Sequence, residues 1–466
     1  MLTLILLAAL AADLDTSTIQ TPTVEGVAAT YVLKTREDVW DVATTDLTGS
    51  GFVDILVVTC DEESYPLVKA VEVFISDDAG AYPGTATVVL PLKPSISVLF
   101  LAEMDGVAPK ELVAIDAAGA CVFDFRDGGF EPIAEPRFTS LLPSASKEPL
   151  FLKKAAEDLD GDGIDEWLIP SGGGYDVRSM TERIASVRCD VVSEVARIET
   201  LHITHRLPAV HAFKVEGDAT KNLAFLSDKF ADFAHGPGWS EHKRFRVPVN
   251  LEEKWDASAK MVDIDKNGLP DLVVTQTKGT VKLESQTQVY VASAPFTYSE
   301  KPTRNFVSKG AFQAPMFQDV DGDDQLDAIF ITIHMGLKFF VNLFLRGKLS
   351  ITAEVFLFDG KGFGEKPDVK TNLTMPVPEG REQVAYAMAD FNNDGRLDLM
   401  FGHKDDMLAF YTGEKDRFIS SRPWTTVECP GFGFARPYDL NGNDAQDLVL
   451  FHPSGEHSKR VDAIVF

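Results

Sequence analysis

The sequence is short of cysteine and of positive charge. Its four cysteines, Cys60, Cys121, Cys189 and Cys429, lie far apart in 466 residues, and no CxxC pair occurs. That excludes a cysteine-based zinc module and a dense disulfide scaffold. Buried thiols are the simplest reading, with one or two disulfides open to an exported chain. Lys and Arg total 44 against 71 Asp and Glu, a formal net charge of −27. A sequence-independent nucleic-acid binder needs the opposite sign to neutralise phosphates, so no nucleic-acid partner is expected. Docking on an anionic membrane surface is disfavoured for the same reason. No uncharged apolar run reaches the about 18 residues that suggest a spanning helix. Nucleophile elbow, phosphate loop and dinucleotide fingerprint are also missing.

What is present begins with an apolar run, Met1 to Ala12, ending in small residues with Ala9 and Ala11 placed as a cleavage signal. No Lys or Arg precedes it. It reads as a signal peptide over 1–12, so the chain is expected to be exported: periplasmic, at the cell surface or secreted. Residues 13–466 are then expected to form one domain.

A nine-residue acidic segment recurs along that domain. In one copy Asp158, Asp160, Asp162, Ile164 and Glu166 fill positions 1, 3, 5, 7 and 9. Asp263, Asp265, Asn267, Leu269 and Asp271 fill them in the next, followed by Asp319, Asp321, Asp323, Gln325 and Asp327. Two more copies carry Asp390, Asn392, Asp394, Arg396 and Asp398, and Asp439, Asn441, Asn443, Ala445 and Asp447. Asp46 to Asp54 is a softer copy, while Glu103 to Glu111 and Lys214 to Asn222 are worn ones. The eight starts advance by about 56 residues on average.

The three positions after every copy are apolar, as in Ile55 to Val57 and Leu448 to Leu450. A short apolar run bounded by a turn reads as a buried strand. Another strand-like stretch precedes each loop, and further β-rich stretches follow before the next. A period of about 56 residues holds about four short strands, which is one propeller blade. The fold class is therefore all-β, a β-propeller of eight blades with seven as the alternative, each of four antiparallel strands. A spare stretch, Ala29 to Lys34, is expected to pair with the C-terminal strand at Val461 to Phe466 and hide its edge.

The loop composition suits Ca²⁺, a hard cation that takes six to eight oxygens. Oxygen side chains at positions 1, 3 and 5 of a tight loop converge, position 7 offers a backbone carbonyl, and position 9 supplies a closing acid. An EF-hand would place Glu at position 12, yet position 12 is apolar throughout, as at Ile169 and Val274. About four to six calcium sites are expected. Asp324 and Asp444 replace Gly at position 6 and should strain the backbone. The Asp46 loop, with Thr48 and Ser50, should bind weakly. Val107 at position 5 predicts an empty Glu103 loop. Lys214 at position 1 predicts a metal-free loop with its ammonium on Glu216 or Asp218.

This loop followed by an apolar strand resembles the FG-GAP/VCBS repeat family, β-propellers related to the head of integrin α-chains. The resemblance covers essentially the whole chain after the apolar leader. It implies calcium between the first and second strands of a blade, and partner binding by loops on the opposite face. Eight loops depart from the seven blades of the integrin head, and the looser bacterial-type repeat fits better.

On that opposite face fall Ser171 to Arg178, His403 to Asp406 and His452 to His457. His403 and His452 sit at equivalent places in successive repeats and are candidates to line one pocket. His202 and His205 form a weak H-x-x-H zinc candidate. Leu337, Phe340, Val341, Phe344 and Leu345 lie at helical spacing in the long gap before Asp390, so residues 335–346 are expected to form a short helix. The leading functional expectation is a monomeric, non-enzymatic module binding a protein or glycan. The alternatives are a carbohydrate lyase or hydrolase with its site at the channel mouth, and a structural envelope module.

Overall fold

The computed structural model describes residues 26–466 except 198–200, 228, 248–254, 280–283, 310, 335–341, 343–346, 377 and 379–382. Nearly all regular structure is β, gathered into eight antiparallel sheets of four strands that follow one another along the chain. These are the blades of a β-propeller. Blade 1 comprises Asp38–Thr45, Asp54–Asp61, Val68–Phe74 and Val88–Leu92. Blades 2 to 7 span 98–134, 156–188, 209–246, 255–309, 311–376 and 386–428. Blade 8 is built from Phe434–Tyr438, Asp447–Phe451, Arg460–Val465 and the N-terminal strand Ala29–Lys34. As expected, the first strand of the chain pairs antiparallel with the last, from Ala29 opposite Val465 to Lys34 opposite Arg460.

The sequence explains why the second strand of each blade is the most deeply buried. Asn222–Leu226 and Asp447–Phe451 are buried at every position, and Asp54–Asp61 at all but its last. These are the unbroken apolar runs that follow the acidic loops, as strands covered on both faces require. Two of the fourth strands are polar and open: four of six positions in Arg183–Arg188 and five of six in Glu241–Arg246 are exposed.

The chain divides into two compact units. One holds residues 1–92, 333–355 and 369–466, the other 93–332 and 356–368. In the first unit, one apolar cluster fills the space between blades 7 and 8 around Phe391, Phe410 and Leu450. Another lies between blades 8 and 1 around Leu33, Phe74 and Phe451. In the second, Phe100 and Trp167 join blades 2 and 3, Tyr175 and Phe225 join blades 3 and 4, and Phe233 and Tyr290 join blades 4 and 5. Within each unit, these neighbouring sheets cover one another's faces, burying apolar area at about 25 cal/mol per Å².

Two features were not visible in the repeat. A hairpin, Val192–Arg197 with Leu201–Arg206, stands outside the eight sheets. Leu150–Phe151 adds a short parallel strand to blade 2. The expected helix at 335–346 lies outside the described residues apart from Asn342. All four cysteines are buried and none is in a disulfide; Cys121 Sγ accepts from Lys93 Nζ at 3.2 Å. Among the described residues no helix is long and apolar enough to cross a membrane.

Candidate metal centre

Every acidic segment forms the turn between the first and second strands of its blade, and the five best-preserved copies share one set of hydrogen bonds. The position-1 carboxylate collects backbone N–H groups from within the loop. Asp158 accepts from Gly161 at 2.6 Å and Gly163 at 3.1 Å, and Asp390 from Asp394 at 3.1 Å and Gly395 at 2.7 Å. The position-5 side chain accepts the N–H of position 7: Asp162 from Ile164, Asn267 from Leu269, Asp323 from Gln325, Asp394 from Arg396 and Asn443 from Ala445, all at 2.7–3.0 Å. Positions 4 and 6 take left-handed backbone, which Gly161 and Gly163 adopt without cost. Asp324 and Asp444 adopt it with φ of 73° and 68°, the strained arrangement the sequence led us to expect.

Position 9 has a different job from the one its spacing suggests. One oxygen of Asp271 accepts the N–H of position 2, Ile264, at 2.8 Å. The other accepts Ala292 N–H, beyond the end of the third strand, at 2.7 Å. Asp327 does the same with Val320 and Phe358, Asp398 with Phe391 and Gly413, and Asp447 with Leu440 and Phe466. Asp54 repeats it with Leu47 and Ser76. The acid is therefore a buried clamp tying loop, second strand and third strand together, whatever else it binds. Buried N–H groups need such partners. This is a structural reason for the repeated acid that spacing alone did not reveal.

The clamp is electrostatically costly. Burial, reinforced by the other loop carboxylates, pushes Glu111, Glu166 and Asp271 up to about 7. Asp327, Asp398 and Asp447 rise to about 6 for the same reason. A cation in the hollow would relieve both causes.

Three-carboxylate groups form in four loops, with ligand oxygens within 4.8 Å of one another. They are Asp158, Asp160 and Glu166; Asp263, Asp265 and Asp271; Asp319, Asp321 and Asp327; and Glu103, Asp105 and Glu111. Each uses positions 1, 3 and 9, and the position-5 side chains belong to none of them. The Glu103 loop, expected to be empty, thus carries the same three-acid grouping, with Val107 at position 5 offering no side-chain oxygen. The Asp390 and Asp439 loops carry Asn392 and Asn441 at position 3, so they offer two acids and an amide there. These oxygen-only donor sets fit a hard divalent ion. Several loops can therefore hold metal ions.

The Lys214 loop does not fit. Lys214 is exposed, and the neutral Asn222 takes the clamp position, accepting Gly236 N–H at 3.1 Å and contacting His235 Nδ1 at 2.6 Å. Asp218 accepts the Asn222 amide at 2.8 Å, the contact expected of the Lys214 ammonium.

The histidine candidates separate. His202 and His205 both fall on the strand Leu201–Arg206, and the side chain of His202 lies outside the described residues. His205 contacts Ser193 at 2.9 Å. His452 is buried, 4.0 Å from Asp462, and desolvation pushes it down to about 3. Burial of that depth makes it a core residue.

No protein-family model and no curated protein matches the chain. Among solved structures, BBS1N in complex with ARL6DN is similar at 11% identity and a TM-score of 0.37, covering 94% of this chain and 96% of that one. The Vibrio cholerae biofilm matrix protein Bap1 is similar at 10% identity and a TM-score of 0.32, with 94% and 87% covered. A Lactobacillus plantarum protein is similar at 12% identity and 0.32, with 81% and 97% covered. At these scores none of the three supports a functional assignment.

Proposed function

We propose that the protein is an exported calcium-binding β-propeller of the FG-GAP/VCBS type that serves as a binding module for a protein or glycan. The observation that carries this reading is the recurrence of one oxygen-lined hollow. In four loops, carboxylates at positions 1, 3 and 9 approach within 4.8 Å. Uncompensated, such groups repel one another. Bound calcium would supply the neutralising charge and cross-link the loop to the buried clamp. The chain's own part is to hold position 1 by backbone N–H groups and position 9 by both strands, so the carboxylates are pre-positioned.

Calcium here is a structural ion, and the partner site belongs at the other end of the blades, on the turns after the second strands. The apolar leader Met1 to Ala12 is what supports a place outside the cytoplasm. Equilibrium dialysis with calcium, followed by thermal unfolding with and without chelator, tests the reading. We expect about four to six bound ions, and a melting temperature that drops on chelation. No bound ion and an unchanged melting curve would refute it.

A further inference from the structure

On this strongly acidic chain, one cleft is lined by arginine. It has a volume of about 770 Å³ and lies in the second compact unit, between the segment after blade 2 and the outer half of blade 3. Five ionisable side chains line it: Arg137, Arg178, Arg183, Arg188 and Asp176. The turn Ser171 to Gly173 forms its rim. That turn joins the second and third strands of blade 3, at the end of the blade opposite its acidic loop.

The cleft is built rather than accidental. Arg178 is only 9% exposed, yet its buried Nε has no hydrogen-bond partner. Its guanidinium carbon lies over the Phe138 ring, 4.7 Å from the centroid, and both residues line the cleft. Desolvation lowers its pKa, so burial opposes the charge it carries. Leaving such a donor unpaired is costly unless something else meets it. Asp176 does not saturate the cluster. Its Oδ1 accepts both Ser186 at 2.6 Å and Ser171 at 3.4 Å, and Arg183 approaches Oδ2 only at 3.8 Å, one carboxylate against four guanidinium groups. Arg137 is held just as loosely, 3.7 Å from Glu135. Planar guanidinium groups bind oxyanions in bidentate fashion. The lining also includes Thr139 and Ser140 beside the open glycine turn; the Ser140 hydroxyl donates to the Asp116 carbonyl at 3.2 Å, which leaves its lone pairs to accept from a hydroxylated body.

We infer that this cleft binds a sugar acid: a carboxylate or sulfate received by Arg178 and the neighbouring arginines, carried on a sugar whose hydroxyls meet the serine-lined wall. The inference deepens the binding-module reading by naming its ligand class, and it does not depend on calcium in the loops.

The test is calorimetric titration of the full chain, in calcium, with uronic acids and sulfated monosaccharides, neutral glucose, inorganic sulfate and inorganic phosphate. We expect at least one acidic sugar to bind, glucose to show nothing, and the inorganic ions to bind at least about tenfold more weakly. The double variant Arg183→Gln, Arg188→Gln changes exposed side chains, so its melting temperature should stay put while affinity falls about tenfold or more. Arg178→Lys, which keeps the charge and removes Nε, should weaken binding further. No binding by any acidic sugar at millimolar concentration overturns the inference. So does inorganic sulfate or phosphate binding as tightly as the best sugar, or affinity unchanged in both variants. Calcium content measured on the same samples separates the two readings: a calcium-loaded protein that ignores every acidic sugar removes the cleft assignment and leaves the metal reading standing.

Discussion

At the residue scale, positions 3 and 9 of the acidic loop should behave differently although both carry acids. Asp447 at position 9 accepts two buried N–H groups, from Leu440 and Phe466. Asp447→Ala orphans both and should cost about 2–5 kcal/mol, with or without calcium. Asp321 at position 3 is exposed. Asp321→Ala should matter only when calcium is present, and should change stability by less than about 0.5 kcal/mol in chelator. Chemical denaturation of both variants, with and without chelator, checks the distinction. A loss in Asp447→Ala confined to the calcium-loaded protein would show that position 9 acts as a ligand alone and not as a clamp. Position 9 was legible in the sequence as a repeated acid, but its second partner lies about twenty residues downstream, beyond any local pattern.

The same residues set a pH dependence. In the calcium-free chain Glu166 and Asp271 are raised to about 7, first by burial and then by their loop neighbours. Unfolding returns them to about 4. A raised acid favours the folded state below its unfolded value, and that contribution is lost as pH climbs through about 7. Chelated protein should therefore lose this contribution between about pH 5 and about pH 8, while calcium-loaded protein should not. Calcium affinity should rise over the same window, because each ion displaces protons. Titration in buffers of different ionisation enthalpy detects the released protons, and a pH-independent affinity would contradict the account.

At the scale of elements, the loops are linked in a chain that no single repeat discloses. The N–H of position 8 donates to a carbonyl at position 1 or 2 of the preceding loop: Asp165 to Glu103, Lys221 to Leu159, Leu326 to Ile264, and Gln446 to Asp390, each at 2.7 Å. Val53 does the same to Leu440 at 3.2 Å, joining blade 1 to blade 8. Blade 5 departs from the pattern because Pro270 stands at position 8 and has no N–H to give. Its carbonyl is met by the Tyr298 hydroxyl at 2.6 Å. Gln446→Pro should thus destabilise by about 3 kcal/mol, by removing the link and through the strain of the pyrrolidine. A melting temperature within a degree or so of the parent would show that the link carries little.

Strand boundaries were readable from the apolar triplets because those strands are covered on both faces. The hairpin Val192–Arg206 was not readable. It falls between the loops that start at Asp158 and Lys214, which are 56 residues apart, so it leaves no lengthened step to betray it.

At the scale of the molecule, eight blades and the pairing of the first strand with the last followed from counting. The worn Glu103 and Lys214 copies, weak alone, are blades 2 and 4. The arginine cleft had no such signature. Arg137 lies about forty residues from Arg178 and meets it only after two blades have packed. Removing residues 1–36 would strip Arg460–Val465 of its partner strand and leave an open edge in blade 8. We expect that truncation to aggregate, which size-exclusion chromatography at several concentrations reads directly. A monodisperse truncated chain would show the edge to be protected in another way.

The central claim is that the acidic loops hold calcium, and anomalous scattering from crystals grown in calcium tests it most directly. Peaks should sit inside the loops that begin at Asp158, Asp263, Asp319, Asp390 and Asp439, each against the position-1 and position-9 carboxylates. The Lys214 loop should be dark. Peaks at none of the five, with the carboxylates in the same places, would leave the repeat as a hydrogen-bonded clamp alone and would contradict the account.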